Sequence, residues 1–284
     1  MLNHDLPKKF KNWIETKNWS LRPHQIEVLN NSKRQSQILI APTGSGKTLS
    51  GFLPTLIELE SLEFSGLHTI YVSPLKALAT DIKRNLMVPI EEIGLNIRVE
   101  DRTGDTKAAT KRRQRVDPPH ILLTTPESLA LLVSFPESKT LFANLERIVI
   151  DEIHALVESK RGHQLVLAIS RLQSLCTNLR KIGLSATVEN PGEIAQFISK
   201  KKDSCPIIFV KSEVEPDISM LQTKASPPWS GAGATYAIPD VLEKISSHKT
   251  TLIFHNTRAQ AEIFFHNLWL NNKKNLPIAI HHGS

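Results

Sequence analysis

Ala41-Pro42-Thr43-Gly44-Ser45-Gly46-Lys47-Thr48 is the stretch that decides the fold of this 284-residue chain. It follows the apolar run Gln37–Ala41 and precedes a segment of helical character, so it lies where a strand turns into a helix. Glycines let backbone N–H groups close on phosphate oxygens, Lys47 can reach the outer phosphates, and the Thr48 hydroxyl suits Mg²⁺. We predict an ATP–Mg²⁺ loop that uses Thr43, Gly44, Ser45, Gly46, Lys47 and Thr48. The alternative is a glycine-rich turn without a ligand.

Short apolar runs recur along the first 210 residues, with amphipathic segments such as Leu75–Leu86 and Gln164–Leu175 between them. Most of these runs do not alternate with polar residues, as is typical of strands buried on both faces. The pattern predicts an α/β fold in which helices cover a mainly parallel sheet. The predicted strands are Gln37–Ala41, His68–Ser73, Asn96–Glu100, His120–Thr124, Glu146–Ile150, Lys181–Ser185 and Pro206–Val210.

The composition changes near Glu213–Thr235, where prolines, glycines and serines predict a linker or an irregular crossover, with an edge strand at Asp217–Thr223. A second pattern follows, with helices at Pro239–Ser246 and Arg258–Leu270 and strands at Thr250–Phe254 and Leu276–Ile280. Two strands and two helices bury too little surface for a domain, so we expect an incomplete unit. The predicted parts are an N-terminal segment (1–24), a first lobe (25–212), a linker (213–235) and the start of a second lobe (236–284).

The bulk composition predicts a soluble globular protein, since 40% of the residues are hydrophobic and 22% are charged. No stretch approaches the roughly 18 apolar residues of a membrane span, and residues 1–11 lack the apolar core of a secretion signal, so we expect a cytoplasmic chain without a membrane partner. Cys176 and Cys205 stand far apart and are expected to be reduced thiols. The net charge of +7 favours a polyanionic partner, although basic runs such as Lys200–Lys202 are more often solvated faces.

A second motif, the acidic stretch Asp151-Glu152-Ile153-His154, follows the apolar run Arg147–Ile150. Acids at the carboxyl end of a strand lie where open α/β sheets bind ligands. Asp151 is predicted to hold Mg²⁺ through water, and Glu152 to orient or deprotonate an attacking water. On its own the pair is a weak signal, and the acidic start of a helix is a fair alternative. About a hundred residues after a phosphate loop, however, it indicates nucleotide hydrolysis.

Together with Ser185-Ala186-Thr187, these motifs resemble the superfamily 2 DExH-box helicases. In that family the alanine at the first loop position, here Ala41, is a common departure from glycine. The resemblance implies that His154, Ser185 and Thr187 couple the ATP state to the grip on nucleic acid. It also implies that Gln25 reads the adenine ring. Taken singly, Gln25 and His154 fit ordinary surface or packing positions.

Further blocks resemble the Lhr-like helicases, and among them the bacterial DNA-ligase-associated type, from about Trp19 to Ser284. The blocks are Ser73–Leu78, Arg102–Thr106, Thr124–Leu129, Lys160–Gly162, Gly183–Val188, Phe254–Glu262 and His281–Ser284.

The Lhr-like resemblance implies a single-strand track on the first lobe formed by Pro74, Lys76, Arg102, Thr103, Gly104, Thr125, Pro126 and Glu127. Thr257 and Arg258 would add contacts from the second lobe. Loops with backbone N–H groups, hydroxyls and a few cations suit sugar-phosphate contact without base recognition. Glu127 is the exception because a carboxylate repels phosphate, so we expect it to cap the helix that begins at Ser128 or to hold a nearby arginine.

The resemblance implies a RecA-like ATP-binding lobe followed by an incomplete second lobe. It also implies an ATP-dependent 3′-to-5′ DNA helicase of DNA repair, which acts on single-stranded or partly duplex DNA and has a ligase or nuclease as partner. In such motors the second lobe supplies an arginine worth roughly 10³–10⁵ in rate. That motif lies outside these 284 residues, so the chain alone is expected to bind ATP–Mg²⁺ weakly, to hydrolyse it poorly and not to unwind duplexes.

Two alternatives compete with the helicase prediction. One is a non-catalytic nucleic-acid-binding fragment. The other is a different P-loop class, such as a transporter ATPase or a small-molecule kinase. The ordered acidic and Ser-Ala-Thr motifs disfavour the latter, and no Leu-Ser-Gly-Gly-Gln signature is present.

Overall fold

The computed structural model of the chain describes residues 6–61, 64–186, 188, 190–199, 205–211, 216–229 and 233–282, without the side chains of residues 76–81. The chain divides into two compact units, Met1–Glu213 and Val214–Ser284. Within the described residues, none of the helices has both the length and the apolar character that crossing a bilayer requires.

The first unit is built on a seven-stranded sheet, and every strand pairs in parallel with its neighbours. The strand order is β3-β4-β2-β5-β6-β1-β7. The α/β prediction is therefore confirmed, as are all seven predicted strands of this unit, although β3 begins three residues later than predicted. The strands are β1 (Ser36–Ile40), β2 (Thr69–Val72), β3 (Val99–Arg102), β4 (Ile121–Thr124), β5 (Arg147–Ile150), β6 (Arg180–Ser185) and β7 (Ile207–Phe209).

Helices cover both faces of the sheet. The helices of the first unit are α1 (Lys8–Thr16), α2 (Pro23–Asn30), α3 (Lys47–Ser61), α4 (Lys76–Ile93), α5 (Ala108–Val116), α6 (Pro126–Ser134), α7 (Ser138–Leu141), α8 (Lys160–Leu175) and α9 (Pro191–Ile198). One apolar cluster joins Leu39 and Val149 to α3 and α4, and the other joins Ile38 and Ile148 to α6, α8 and α9. Adjacent strand residues point to opposite faces, so near-continuous apolar strands need both layers.

A buried charge cluster lies at the amino ends of the strands, opposite the phosphate loop. Arg147 is fully buried, and its Nη1 lies 2.9 Å from Oε2 of Glu58 in α3. Arg180 bonds the same carboxylate at 2.7 and 3.1 Å, and His68 approaches it to 3.5 Å. Nε and Nη2 of Arg147 have no hydrogen-bond partner among the described residues. Glu58 is thus the anion that compensates the buried Arg147 and the largely buried Arg180.

The two cysteines are buried and free, as predicted for reduced thiols. The Cys176 thiol donates to the Phe142 carbonyl at 3.1 Å. Burial raises the pKa of both thiols, that of Cys205 to about 11. Because the thiolate is the reactive form, neither cysteine has the properties of a nucleophile.

The second unit contains the helices α10 (Ile238–Ser247) and α11 (Arg258–Leu270), as predicted. They pack through a small core of Ile238, Phe264 and Leu268. The strands predicted at Asp217–Thr223, Thr250–Phe254 and Leu276–Ile280 are wrong, because none of these segments forms a strand in the structure. A strand needs a neighbouring strand to satisfy its backbone, and here Leu252 and Phe254 are 76% and 88% exposed.

Candidate functional site

Three adjacent strands bring the predicted catalytic motifs to one edge of the sheet. The three strands are neighbours in the order β5-β6-β1. Asp151 follows β5, Ser185 is the last residue of β6, and the phosphate loop follows β1. The Ala41 N–H donates to the Ser185 carbonyl at 3.1 Å, which ties the start of the loop to the end of β6. The carboxyl edge of a parallel sheet is the usual ligand-binding edge of such folds.

The phosphate loop has the backbone that its glycines predict. Gly44 and Gly46 have φ of +80° and +83°, a region that side chains disfavour. Lys47 begins α3, so the first N–H groups of that helix face the loop. The Lys47 ammonium donates to the carbonyls of Ala41 and Pro42 at 2.8 and 3.1 Å. These two bonds hold the ammonium at the loop, where a phosphate can replace the carbonyls.

Helix α2 packs against this loop. His24 is buried, and its Nε2 lies 3.0 Å from the Ser45 carbonyl, while burial lowers its pKa. Gln25 is also buried, and its Oε1 accepts the Arg22 N–H at 2.9 Å. A Cβ at Gly46 would lie 3.1 Å from Nε2 of Gln25, so the glutamine amide borders the loop. The adenine-reading role of Gln25 stays a prediction.

A cavity of about 450 Å³ joins the phosphate loop to the acidic motif. Its lining includes Thr43, Gly44, Gly46, Lys47 and Thr48 on one side and Asp151 and Glu152 on the other. Beside it the Ser45 hydroxyl oxygen is buried without a hydrogen-bond partner among the described residues. A buried donor without a partner is unfavourable, so this hydroxyl is suited to an incoming acceptor such as phosphate.

The two acids of the motif occupy different environments. Asp151 is 7% exposed, and its N–H donates to the Val72 carbonyl at 2.8 Å. Burial and the Glu152 charge raise the pKa of Asp151, while Tyr71 and Lys47 act in the opposite direction. Glu152 is half-buried with a φ of +44°, which is strained for a residue with a side chain. Such strain clusters at functional sites.

The acidic motif also contacts the Ser-Ala-Thr motif. His154 Nδ1 lies 3.2 Å from the Ser185 hydroxyl and 3.4 Å from Oε2 of Glu152. The structure thereby brings Ser185 next to the motif of Glu152 and His154, which precedes it by more than thirty positions in sequence. Thr187, the third predicted coupling residue, lies outside the described residues.

Three further adjacent strand ends, in the order β3-β4-β2, carry the predicted single-strand track. Pro74, after β2, is buried and precedes α4. Lys76 is the first residue of α4, and its side chain lies outside the described part of the chain. The Thr124 hydroxyl donates to the Arg102 carbonyl at 2.7 Å and so joins the ends of β4 and β3.

The Arg102 guanidinium points into the protein, which leaves the backbone of this residue for the track contact that the resemblance implies. It is 5% exposed, and Nη1 donates to the Lys111 carbonyl at 2.8 Å and to Oε1 of Gln114 at 3.2 Å. Burial lowers its pKa. In this position the side chain supports the loop that follows it. That loop exposes Gly104, while Thr103 is buried and its N–H donates to the Thr106 hydroxyl at 2.9 Å.

The Thr125-Pro126-Glu127 block begins α6. Thr125 is the N-cap, because its hydroxyl accepts the Ser128 N–H, and Pro126 is the first helical residue. The Glu127 carboxylate accepts hydrogen bonds from Nε and Nη2 of Arg161, and the bond from Nη2 is 3.2 Å long. This pairing lowers the pKa of Glu127 and raises that of Arg161. The prediction that Glu127 holds a nearby arginine is confirmed, and the capping role falls to Thr125.

The second unit presents its two predicted contact residues at the start of α11. The Thr257 hydroxyl accepts the Gln260 N–H at 3.2 Å and so caps the helix. Thr257 and Arg258 are both exposed. An exposed cation beside a helix N-terminus is able to meet a phosphate.

Residues 22–194 match the family model for the DEAD/DEAH box helicases, which is more than half of the chain. This chain belongs to the DEAD/DEAH box helicase family. The RecA-like lobe that was predicted is confirmed by the likeness of the parallel sheet to solved DEAD/DEAH box helicases.

Similar proteins confirm the Lhr-like resemblance within the DEAD/DEAH box family. The chain is 37% identical to the ATP-dependent helicase Lhr-Core of Methanocaldococcus jannaschii, over 98% of this chain and 35% of that protein. It is 35% identical to the Lhr helicase/uracil glycosylase of Escherichia coli, over 81% of this chain and 17% of that protein. The structure of Mycobacterium smegmatis helicase Lhr bound to ssDNA and AMP-PNP matches 96% of this chain and 37% of that one, with a TM-score of 0.78 and 29% identity. The chain spans about a third or less of these relatives.

Some residues of this DEAD/DEAH box site were not predicted from sequence. Ile82, Asn85, Leu86 and Pro89 of α4 line the cavity, yet in sequence they are ordinary helical positions. Tyr71 lies beneath the acidic motif and was counted only as a strand residue. Arg161 stood in a block that carries the Lhr-like resemblance, without an assigned role.

Gly162 is expected to be essential for the segment that joins the acidic motif to α8. A Cβ there would lie 1.8 Å from the Leu156 carbonyl oxygen, and that neighbour is backbone. Gly162→Ala should therefore destabilise the first unit by roughly 2–3 kcal/mol, as overpacking does, and lower the urea midpoint of unfolding. Gln164→Ala, at an exposed position of the same helix, should change stability by less than about 0.5 kcal/mol. Equal stability of the two variants would contradict the predicted clash.

Proposed function

We propose that this chain forms the ATP-binding and nucleic-acid-gripping part of an ATP-dependent DNA helicase. The observation that carries the proposal is the single cavity that unites Lys47 and Thr48 with Asp151 and Glu152. His154 links that cavity to Ser185 on the neighbouring strand. A phosphate loop without the acids would support binding alone, whereas this combination supports hydrolysis.

Each group at the cavity has a distinct task in nucleotide hydrolysis. The N–H groups at the start of α3 and the Lys47 ammonium bind the phosphates and stabilise their charge. Glu152 orients the attacking water and accepts its proton, so that ADP and inorganic phosphate are formed. Asp151 is buried and negatively charged when deprotonated, so it needs a compensating cation.

The residues present fit a magnesium ion. Thr48 and Asp151 supply the oxygen ligands that Mg²⁺ prefers, and both line the cavity. The raised pKa of Asp151 indicates that its charged form lacks sufficient compensation from the protein itself. When bound, Mg²⁺ would neutralise charge on the phosphates.

The DNA preference and the 3′-to-5′ direction rest on the likeness to the Lhr proteins, one of which is described as bound to ssDNA. The exposed Gly104 loop and the Glu127–Arg161 pair suit backbone contact without base recognition. Competition between single-stranded DNA and RNA of equal length tests the preference, and the affinity for duplexes with a 3′ or a 5′ tail tests which tail is bound. A role in DNA repair with a ligase or nuclease partner rests on the resemblance to the ligase-associated proteins.

Removal of the loop lysine tests the proposal. Lys47→Ala should lower the DNA-stimulated single-turnover rate of ATP hydrolysis by about 10²–10³, because the phosphates lose their ammonium partner. Radiolabelled ATP with excess protein, with and without single-stranded DNA, gives this rate even when turnover is slow. Lys33→Ala, an exposed lysine at the opposite end of the sheet, is the matched control.

Two results would contradict the helicase proposal. Wild-type protein that binds single-stranded DNA but hydrolyses no ATP would support the non-catalytic binding fragment. ATP hydrolysis that is unaffected by DNA at every concentration would instead favour a P-loop enzyme of another class.

A further inference from the structure

Tyr71 is a buried phenol beneath the nucleotide cavity. It lies on β2 and pairs in register with Val149 of β5. Val149 precedes Asp151 by two residues. Residues two apart on a strand share a face, so Tyr71 and Asp151 lie on the same side of the sheet. The ring stacks on Phe52 with centroids 4.7 Å apart, which fixes its direction. Its exposure is zero.

The Tyr71 hydroxyl has no hydrogen-bond partner among the described residues. Burial raises its pKa well above the ordinary value, and the Asp151 charge adds to this, while Thr48 acts in the opposite direction. Two groups are placed near this hydroxyl by the fold: Asp151 through the β2–β5 register, and Thr48 because it stands one helical turn before Phe52, on which the ring stacks. A buried hydroxyl of this kind is unfavourable unless another state of the site uses it.

We propose that Tyr71 is a positioning residue for the magnesium-holding pair, with its hydroxyl accepting a hydrogen bond from Thr48 and donating one to Asp151. This inference rests on the proposed nucleotide function. It assigns a task to a residue that lies outside the phosphate loop and the acidic motif.

The chemistry of the three groups favours this arrangement. A threonine hydroxyl that offers a lone pair to a cation must direct its proton elsewhere, and the phenolic oxygen is a nearby acceptor. A phenol both donates and accepts, so its own proton is free for the carboxylate. Such outer partners orient a ligand and typically change metal affinity by about 10–100-fold.

Tyr71→Phe in the full chain tests the inference, because it retains the ring and its stack on Phe52 and removes only the hydroxyl. A fluorescent non-hydrolysable ATP analogue is titrated in EDTA and then at increasing Mg²⁺. We expect the variant to bind the analogue normally in EDTA, and to need about tenfold more Mg²⁺ to reach the half-point of the Mg²⁺-linked increase in affinity. Thermal stability should be equal to or above that of the wild type, since an unpartnered hydroxyl is removed.

Tyr236→Phe is the matched control, because Tyr236 is the other of the two tyrosines and lies in the second unit. An unchanged Mg²⁺ requirement in Tyr71→Phe would overturn the inference while wild-type binding still supports the nucleotide function. Weaker binding of equal size in EDTA and in Mg²⁺ would also overturn it, because the hydroxyl would then act on packing alone. Wild-type protein that binds no analogue under either condition would overturn the proposed function and this inference with it.

Discussion

Glu152→Gln should bind ATP with near wild-type affinity and hydrolyse it about 10²–10⁴-fold more slowly, the usual contribution of a general base. Glutamine retains the size and polarity of the side chain but cannot accept the proton of the attacking water. The backbone strain at this position, φ +44°, is the same for both residues, so the fold should not change. Single-turnover hydrolysis and analogue binding, measured on the same preparation, separate the two effects.

The matched control for Glu152→Gln is Glu158→Gln, which removes an exposed carboxylate six residues further along the chain. Glu158 does not line the cavity, so its variant should hydrolyse ATP at the wild-type rate. A Glu152→Gln variant that keeps the wild-type rate would exclude Glu152 as the base. A variant that loses affinity and rate equally would assign it to binding.

Glu58→Gln should destabilise the first unit by about 3–5 kcal/mol, because it removes the anion that compensates the fully buried Arg147. Urea unfolding followed by circular dichroism measures this loss. Although burial alone would raise the pKa of Glu58, its contacts with His68, Arg147 and Arg180 outweigh that effect and hold it far below the ordinary value. A carboxylate with a depressed pKa stabilises the fold above its unfolded pKa of about 4.3, and this stability is lost as the pH falls further.

The pH dependence provides an internal check on the Glu58 prediction. The free energy of unfolding of the wild type should decrease below about pH 4.5, and Glu58→Gln should show less of that decrease. The double variant Glu58→Gln/Arg147→Met removes both buried charges and should recover most of the stability. Arg180 retains Glu146 as a partner at 2.9 Å. If the double variant is no more stable than Glu58→Gln, charge compensation is not the cause.

Periodicity and motif spacing predicted the parallel sheet and the nucleotide-binding motifs at its carboxyl edge, because both depend on local signals. Apolar runs mark buried strands, and Ala41–Thr48 and Asp151–His154 each carry their chemistry within a few residues. The strand predictions for the second unit were wrong because strand formation also depends on a non-local signal, the presence of a partner strand. The run at Thr250–Phe254 has strand character, but a strand depends on a partner that the sequence pattern does not supply.

The direction of long side chains could not be predicted from the sequence either. Arg102 belongs to a block that suggests phosphate contact, yet its guanidinium is bound to Lys111 and Gln114. Tyr71 is one apolar-looking strand residue among many, and only the β2–β5 register places it below Asp151. Which way a long side chain points depends on packing with elements distant in sequence, which a single sequence does not specify.

The strand order has a mechanical consequence. The nucleotide loops follow β5, β6 and β1, the proposed nucleic-acid loops follow β3, β4 and β2, and the two groups meet only where β2 pairs with β5. That seam consists of four residue pairs in a close-packed interior of low compressibility. Any displacement of the end of β5 on phosphate binding would therefore have to cross these four pairs to reach the Pro74 loop through the sheet.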